Sequence, residues 1–272
     1  MHNYIRDINS KLSRVGIVLI DKPWESKMLN QNVFALKWKH DRASETNNFH
    51  IEKKWRQALY ELKSKLKAYK PYLLFTRISS LNREAKMALE DNDFTLIERY
   101  LEMQHDLKLI PSLSNNNVIR LSVKSDLLML EKVAYESFRY SRFHNDPQIR
   151  NVVANRTRSE WLKESFHGRS DFILVAETDQ KVTGFLVCRK ESSANGVKGI
   201  IDLMAVPHSY KRRKVGYDLT AEFLKYCKER HCDIASVGTQ VKNIPAVRLY
   251  EKTGFVLHKS YYTYHMHVRD QI

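Results

Sequence analysis

The chain has 272 residues, 43% of them hydrophobic and 28% charged, which is typical of a soluble globular protein with one large or two modest domains. Lysine and arginine outnumber aspartate and glutamate by 46 to 31, so the formal charge of +15 favours anionic ligands or nucleic acid. Nowhere do about 18 apolar residues follow one another, which excludes a membrane-spanning helix and predicts no membrane partner.

The cysteines and the N-terminal segment bear on the compartment. Cys188, Cys227 and Cys232 lack the C-x-x-C spacing of a metal site and form no disulfide framework, so we expect a reducing compartment and no metal. The N-terminal segment has no apolar run of the kind that a signal peptide needs. A cytoplasmic location is therefore expected.

The first part of the chain alternates strands and helices, as in one compact α/β unit. Trp55, Leu59, Leu62 and Leu66 recur at helical spacing, which predicts an amphipathic helix. Asn82 is typical of a helix N-cap. In chain order we predict a strand at 14–20, a turn at 23–26, a strand at 32–39, a polar loop at 41–48, a helix at 51–69, a strand at 72–78, a helix at 83–90 and a strand at 94–103.

Residues 111–117 are rich in serine and asparagine and begin with proline, which is typical of a linker. We therefore predict an N-terminal domain at residues 1–112 and a C-terminal domain at residues 117–272. Within the second domain we predict a strand at 118–123, helices at 127–138 and 150–165, a hairpin at 171–177 and 181–190, a strand at 199–206, a helix after Gly216, a strand at 234–240, a helix at 245–252 and a strand at 255–268.

One internal similarity links the two halves. Residues 86–94 and residues 247–255 both read as a helix, a tight turn and a phenylalanine ahead of a long strand. The N-terminal unit is then a degenerate copy of part of the C-terminal one. Chance similarity is the alternative, because helix–turn–strand units are common.

Residues 200–219 join an apolar strand to a helix through a basic turn. Pro207 ends the strand because proline has no N–H to donate to its ladder. Four consecutive cations, Lys211 to Lys214, and then Gly216 precede an amphipathic run. Because a helix N-terminus presents unpaired N–H groups and the positive end of the helix dipole, this turn predicts a phosphate site.

Two motifs in the second half resemble the GNAT-type N-acetyltransferase family. They are Val206-Pro207 with the turn at 211–216 and Leu219, and Asn243-x-x-Ala246-x-x-x-Tyr250-x-x-x-Gly254-Phe255. The resemblance covers about residues 118–268 and implies acetyl-CoA as the co-substrate. It implies an α/β (α+β) fold with a central mixed, mostly antiparallel sheet flanked by helices, and a smaller degenerate GNAT-like N-terminal domain. Lys214 stands where the family has glycine, so either it reaches a glycine-like conformation or the contact with the diphosphate is looser there.

The resemblance also implies roles for single residues. The pantetheine of CoA would run beside the strand, and its diphosphate would meet N–H groups of the turn. Tyr250 would protonate the departing thiolate, and a backbone N–H near Val206 would hold the oxyanion. An aromatic core position is the alternative for Tyr250, and a helix N-cap for Asn243. The implied cofactor-binding residues are Leu203, Ala205, Val206, Lys211, Arg212, Arg213, Lys214, Val215, Gly216, Tyr217, Asn243 and Ala246.

Residues 138–143, residues 23–26 and the VGTQ before Asn243 resemble a narrower group, the TDP-4-amino-4,6-dideoxygalactose (TDP-fucosamine) N-acetyltransferases. In that group a degenerate N-terminal half helps to form the amino-sugar site, so a nucleotide-sugar substrate is implied. Glu98 matches the group's candidate base, which acts through water, and a solvated strand face is its alternative. A solvated loop position is the alternative for Arg142. The implied acceptor contacts are Trp24, Glu25, Arg142 and Phe143.

Other functions remain open on the sequence. The same fold can take a peptide, polyamine or aminoglycoside amine, and a basic turn alone can contact nucleic acid. A nucleic-acid module would show interleaved aromatics or a recognition helix, and the cations lie instead on one turn, so we expect no nucleic-acid partner. The tyrosine-rich residues 261–264 are typical of dimer surfaces, which makes a homodimer one expectation.

Overall fold

The computed structural model describes residues 2–39, 49–114, 116–194 and 196–269. Packing divides the chain into two compact units, Met1–Tyr100 with Ser260–Ile272, and Leu101–Lys259. The polar loop predicted at 41–48 lies outside the described residues. The predicted boundary at 112–117 leaves the C-terminal segment in the second domain, whereas packing assigns it to the first unit.

The first unit combines helices with a mixed sheet. Strand β1 is antiparallel to β2, β2 is parallel to β3, and β3 is antiparallel to the last strand, β10, which also neighbours β4. The described elements are α1 (His2–Leu12), β1 (Ile17–Asp21), α2 (Pro23–Leu29), β2 (Asn32–Trp38), α3 (Phe49–Lys65), β3 (Tyr72–Ser79) and α4 (Arg83–Glu90), with the parts of β4 (Thr95–His105) and β10 (Val256–Val268) that belong to this unit.

Helix α3 provides much of this unit's core. The four apolar residues whose spacing predicted it are all buried, and Trp55 meets Trp38 edge-on at 4.8 Å between ring centroids. Each indole N–H is satisfied, that of Trp38 by Thr76 Oγ1 at 2.8 Å and that of Trp55 by the carbonyl of Val15 at 2.8 Å. The core is therefore specified by directed bonds as well as by apolar burial.

Two local predictions in this unit are wrong. Residues 23–26 are not a turn but the start of α2, because Pro23 occupies a first-turn position where no N–H is required and its fixed φ suits the helix. Helix α1 was not predicted, although Ile5, Ile8 and Leu12 recur at helical spacing; among its described side chains Ile8 and Leu12 are buried and Ile5 packs against the core. The helix at Arg83–Glu90 is confirmed, and Asn82 Oδ1 accepts from the N–H of Ala85 at 3.0 Å.

The tyrosine-rich part of β10 packs inside the first unit. Tyr264 is fully buried and donates to Glu90 Oε1 at 2.9 Å. Burial and the neighbouring Glu90 raise the pKa of Tyr264 above its usual range. Tyr264 is therefore unavailable to the dimer surface for which residues 261–264 were proposed.

The second unit confirms the mixed, mostly antiparallel sheet flanked by helices. Strands β5, β6, β7 and β8 pair antiparallel in that order, and β8 pairs parallel with β9. No helix in the described part of the chain is long and apolar enough to cross a bilayer. The elements are β5 (Val118–Leu121), α5 (Leu127–Ser137), α6 (Asn151–Glu164), β6 (Phe172–Thr178), β7 (Lys181–Ser193), β8 (Gly196–Ala205), α7 (Val215–Glu229), β9 (Ile234–Gln240) and α8 (Ile244–Lys252).

Alternation along β6 explains how this sheet is covered on both faces. Leu174 and Ala176 belong to the apolar cluster that includes α7, whereas Ile173 and Val175 belong to the cluster that includes α5 and α6. Successive side chains of a strand point to opposite faces, so both faces of β6 are apolar and buried. This explains why β6 reads as a continuous apolar run rather than an alternating one.

The three cysteines are free and buried, as their spacing predicted for thiols outside a disulfide framework. Burial raises the pKa of Cys188 and of Cys227 well above the usual range. Since the thiolate is the reactive form, these thiols are chemically quiet core residues.

Helices α4 and α8 end in the same motif. The N–H of Phe94 donates to the carbonyl of Leu89 at 3.1 Å, and that of Phe255 donates to the carbonyl of Tyr250 at 2.9 Å. The preceding residues, Asp93 and Gly254, both have a left-handed conformation, with φ of 66° and 93°. Both ends are thus Schellman caps followed by a long strand, in line with the internal similarity read from the sequence.

Candidate active site

The basic turn lies between β8 and α7. Lys211, Arg212, Arg213 and Lys214 are all exposed, and α7 begins at Val215. Lys214 has φ 62° and ψ 5°, so it adopts the left-handed conformation that its place in the motif demands. Arg212 is left-handed as well, with φ 63°. For a residue with a side chain this conformation costs about 1–2 kcal/mol, so other contacts must hold the turn.

The N-terminus of α7 is open to an anion. Lys214 is the N-cap residue, and its ammonium side chain cannot accept a hydrogen bond from the helix; no described side chain caps this helix end. The N–H groups of Val215, Gly216 and Tyr217 precede the first intrahelical bond, which runs from the N–H of Asp218 to the carbonyl of Lys214 at 2.9 Å. Uncapped N–H groups, the helix dipole and four exposed cations favour a bound phosphate.

Gly216 has a packing role that the sequence analysis did not foresee. A Cβ built on this residue would lie 3.0 Å from Leu249 Cδ2 of α8. The glycine therefore lets α8 approach α7 closely, in addition to leaving the backbone accessible to a ligand.

Strands β8 and β9 separate halfway along their length. Their parallel pairing ends at Ile201 and Val237, although β8 continues to Ala205 and β9 to Gln240. Over the same length β8 stays paired with β7, up to Ala205 opposite Phe185. In this described part of the sheet, the β9-facing edge of β8 therefore offers backbone groups to an extended ligand, and Leu203 and Ala205 lie on this segment.

A β-bulge at Asp202 accounts for the separation. Leu203 pairs with Val187 and Ile201 with Cys188, so Asp202 is the extra residue on β8. A bulge bends its strand and increases the local twist, and this one falls where β9 departs. Asp202 Oδ2 accepts from Trp161 Nε1 at 2.8 Å, and its carboxylate lies 3.8 Å from Arg189 Nε. Sequence reasoning missed Asp202, because nothing local distinguishes a bulge in an apolar strand.

Helix α8 presents the second motif. Asn243 is at the N-cap position but its side chain does not cap the helix; Nδ2 donates to Thr239 Oγ1 at 3.3 Å instead. Asn243 and Ala246 are half-buried, whereas Tyr250 is 5% exposed and its ring lies 5.7 Å from that of Phe255. Tyr250 is thus part of the core on one side, which is compatible with either role considered for it.

The neighbouring His105 explains why position 254 requires a glycine. A Cβ on Gly254 would lie 2.7 Å from His105 Nε2, and the glycine has φ 93°. His105 Nδ1 accepts from the N–H of Leu107 at 2.9 Å, which assigns the ring proton to Nε2 when the ring is neutral. Burial lowers the pKa of His105, against a smaller opposing effect of Asp106.

Glu98 lies in the first unit, on β4, and its carboxyl group is buried. Oε1 accepts from Arg77 Nη2 at 3.0 Å and from Thr263 Oγ1 at 3.2 Å, and the Arg77 guanidinium lies 3.6 Å above the Tyr100 ring. Oε2 is buried and has no hydrogen-bond partner among the described residues. The solvated strand face considered for Glu98 is therefore wrong, because the group is enclosed.

The predicted acceptor residues fall in both units. Trp24 and Glu25 are half-buried on α2 of the first unit. In the second unit Phe143 is buried and the guanidinium carbon of Arg142 lies 4.3 Å from its ring, so Arg142 is anchored rather than free in solvent. His144 fixes the same loop through Ser141 at 2.6 Å and Asn155 at 2.9 Å.

A cavity of about 780 Å³ in the first unit contains none of the predicted site residues. It is lined mainly by α1 and α3, with Lys11, Lys53 and Lys65 among its side chains. Volume alone therefore does not identify the site.

A model of a protein family matches part of the second unit. The family model described as Acetyltransferase (GNAT) family matches residues 134–255. These residues include β8 with its bulge, the basic turn, α7 and α8, so this part of the chain is similar to acetyltransferases of the GNAT family.

Two kinds of curated relative match the chain. The spore coat polysaccharide biosynthesis protein SpsD of Bacillus subtilis is 31% identical over 135 residues, which are 50% of this chain and 45% of that protein. Human N-alpha-acetyltransferase 30 is 24% identical over 146 residues, 50% of this chain and 40% of that protein. The chain thus spans about half the length of the curated relatives that it matches.

Solved structures agree on the fold. A GCN5-related N-acetyltransferase from Sphaerobacter thermophilus superposes with a TM-score of 0.60 at 15% identity, covering 94% of this chain and 77% of that one. A tandem GNAT protein from the clavulanic acid biosynthesis pathway has a TM-score of 0.58 at 11% identity, covering 88% and 76%. At such identities the likeness establishes the fold alone, and it confirms the GNAT fold predicted from the motifs.

Proposed function

We propose that this chain is an acetyl-CoA-dependent N-acetyltransferase that acylates the amine of a nucleotide-linked amino-sugar, a step suited to the synthesis of surface polysaccharides. The use of acetyl-CoA is supported by three consecutive features: a bulged strand, β8, that separates from β9, a basic turn with left-handed residues, and an uncapped N-terminus of α7. The pantetheine of CoA would pair with the backbone from Leu203 to Val206, at the end of β8. Its diphosphate would accept from the N–H groups at the start of α7.

The proposed chemistry is direct transfer. The neutral amine attacks the thioester carbonyl, so that an N–C bond forms and the carbonyl oxygen becomes an oxyanion, held by a backbone N–H near Val206. Collapse breaks the C–S bond, and Tyr250 donates its phenolic proton to the departing thiolate. The half-buried Asn243 and Ala246 line the start of the helix that positions Tyr250.

For the amine proton, Glu98 remains the proposed base, acting through water. Support comes from its enclosed carboxyl group and the unpartnered Oε2. The competing explanation is that the Glu98 carboxylate has only a structural role, as the ion-pair partner of Arg77. The variant Glu98→Gln distinguishes the two roles.

The sugar acceptor is supported by the relatives. The name of SpsD concerns polysaccharide biosynthesis, and its identity to this chain is 31% against 24% for N-alpha-acetyltransferase 30. A strongly basic chain also suits an acceptor that carries its own diphosphate. We assign Arg142, Phe143, Trp24 and Glu25 to acceptor binding on the resemblance described above.

A peptide N-terminus is the second candidate acceptor. N-alpha-acetyltransferase 30 proteins of several organisms match between 32% and 50% of the chain. Over a similar share of the chain their identity is lower than that of SpsD, so they do not outweigh it.

A thiol-release assay with acetyl-CoA tests both candidates. TDP-, UDP- and GDP-linked amino-sugars are compared with peptides, polyamines and aminoglycosides at equal concentration. We expect kcat/KM for one nucleotide amino-sugar to exceed that of every peptide by at least about 100-fold. Preference for a peptide would overturn the sugar assignment while leaving the acetyltransferase activity intact.

A further inference from the structure

Asp218, in the first turn of α7, is a fully buried carboxylate that the proposed reaction does not use. Oδ1 accepts from the N–H of Ser114 at 2.8 Å. Oδ2 accepts from Ser114 Oγ at 2.7 Å and from Asn117 Nδ2 at 2.7 Å. A buried charge is tolerated when it is fully hydrogen-bonded, and charge-assisted bonds of this kind are the strong ones.

Asn117 extends these bonds to the basic turn. Its Nδ2 also donates to the carbonyl of Arg213 at 3.2 Å, and its Oδ1 accepts from Thr178 Oγ1 on β6 at 2.9 Å. One amide therefore joins three points: the sheet, the turn and the helix. Arg213 is the residue between the two left-handed residues Arg212 and Lys214.

The turn requires such support. Two residues with side chains are held at positive φ, four adjacent cations repel one another, and the helix end above them is uncapped. Each of these features disfavours the folded turn in the absence of a ligand. The hydrogen bonds from Asn117 to the carbonyl of Arg213 and to Asp218 stabilise the turn against unfolding.

We propose that Asn117 and Asp218 are positioning residues that preset the basic turn in its anion-binding conformation before the ligand arrives. This inference rests on the proposed function for the identity of the ligand, the CoA diphosphate. Preorganisation lowers the entropy lost on binding, so the gain appears as affinity for the diphosphate part of CoA. Ser114 and Asn117 belong to the segment that the sequence analysis read as a linker.

Asn117→Ala tests the proposal, because Asn117 is only half-buried and its loss leaves Ser114 on Asp218. We expect the Kd of CoA, measured by calorimetry, to rise about tenfold. With S-acetyl-pantetheine, which lacks the diphosphate, kcat/KM should stay within about twofold of the wild type. The exposed neighbour Asn116→Ala is the matched control and should change neither value. If kcat/KM falls equally with acetyl-CoA and with S-acetyl-pantetheine, the variant is damaged in general and the proposal is overturned.

A second variant tests the mechanism through the backbone. Glycine adopts positive φ without cost, so in a Lys214→Gly background the further change Asn117→Ala should raise the Kd of CoA less than about threefold. The same tenfold loss in both backgrounds would contradict a role in holding Lys214.

A ligand-free measurement separates this inference from the proposed function. Amide hydrogen exchange over residues 211–220 should become faster in Asn117→Ala than in the wild type and in Asn116→Ala. If the wild type does not bind CoA and exchange still accelerates, the positioning role stands and the proposed function falls. If the wild type binds CoA but neither exchange nor affinity changes, the positioning role falls alone.

Discussion

At the scale of single residues, the comparison of Tyr250 with Leu89 is informative. Both residues accept, through their carbonyls, the N–H of the phenylalanine five positions later in a Schellman cap. Only Tyr250 has a hydroxyl that can donate a proton. If the first unit is a degenerate copy and Tyr250 is the general acid, as we propose, then the copy kept the cap and lacks the acid.

Tyr250→Phe tests the acid role directly. The ring and its contact with Phe255 remain, so the acetyl-CoA site should stay in place and the affinity for acetyl-CoA should be unchanged. We expect kcat to fall about 100-fold, the usual contribution of a positioned general acid. Steady-state kinetics measure kcat, and calorimetry measures the Kd of acetyl-CoA. An unchanged kcat would remove Tyr250 from the mechanism.

Glu98→Gln separates a base from a structural ion pair. A lost base lowers kcat/KM mainly at low pH, where the acceptor amine is protonated, and the rate recovers as pH rises. A lost ion pair leaves Arg77 without its carboxylate and lowers the free energy of unfolding by about 1–3 kcal/mol. Arg77→Gln is the control that breaks the same pair. If both variants shift the pH–rate profile equally, or neither shifts it, Glu98 is not the base.

At the scale of helices and strands, local sequence patterns predicted most of the elements. Asn82 marked the start of α4, and the spacing from Trp55 to Leu66 marked α3, because caps and apolar periodicity are encoded within a few residues. The bulge at Asp202 was not predicted, because it is a feature of the pairing between β7 and β8, and the side-chain partners of Asp202, Trp161 and Arg189, lie elsewhere in the sequence. The contacts of Ser114 and Asn117 with Asp218 were not predicted either, because they join residues about one hundred positions apart, whereas the local composition is typical of a linker.

The end of α8 provides a stability test at this scale. Gly254→Ala places a side chain on a residue with positive φ and brings its Cβ too close to His105 Nε2. Gly168 also has a positive φ, 107°, but a Cβ there has no atom within 4 Å. Gly168→Ala should therefore cost about 1–2 kcal/mol from the backbone alone. Gly254→Ala should cost at least about 1 kcal/mol more, because of the overpacking. Urea unfolding of both variants measures the difference, and equal losses would contradict the contact with His105.

At the scale of the whole molecule, the buried histidines predict sensitivity to acid. Burial lowers the pKa of His105 and of His144, and for His144 the positive charges of Arg158 and Arg139 add to the effect. A free histidine titrates near about 6.5, so as pH falls the unfolded chain binds these protons first. The free energy of unfolding should therefore decrease from about pH 6.5 down to the folded-state pKa values.

Urea titrations at several pH values between 7.5 and 5 check this expectation. His144→Gln removes one titrating group, so its stability should depend less steeply on pH than that of the wild type, whatever its absolute stability. Parallel slopes for the two proteins would exclude His144 as a source of the acid sensitivity.

The central claim is that the start of α7 receives the diphosphate of CoA. A crystal structure of the protein with CoA bound tests it most directly. We expect diphosphate oxygens within about 3 Å of the backbone nitrogens of Val215, Gly216 or Tyr217, with the pantetheine beside β8 on the edge that β9 leaves open. CoA bound with its diphosphate elsewhere, for instance among the lysines of the first-unit cavity, would contradict the account.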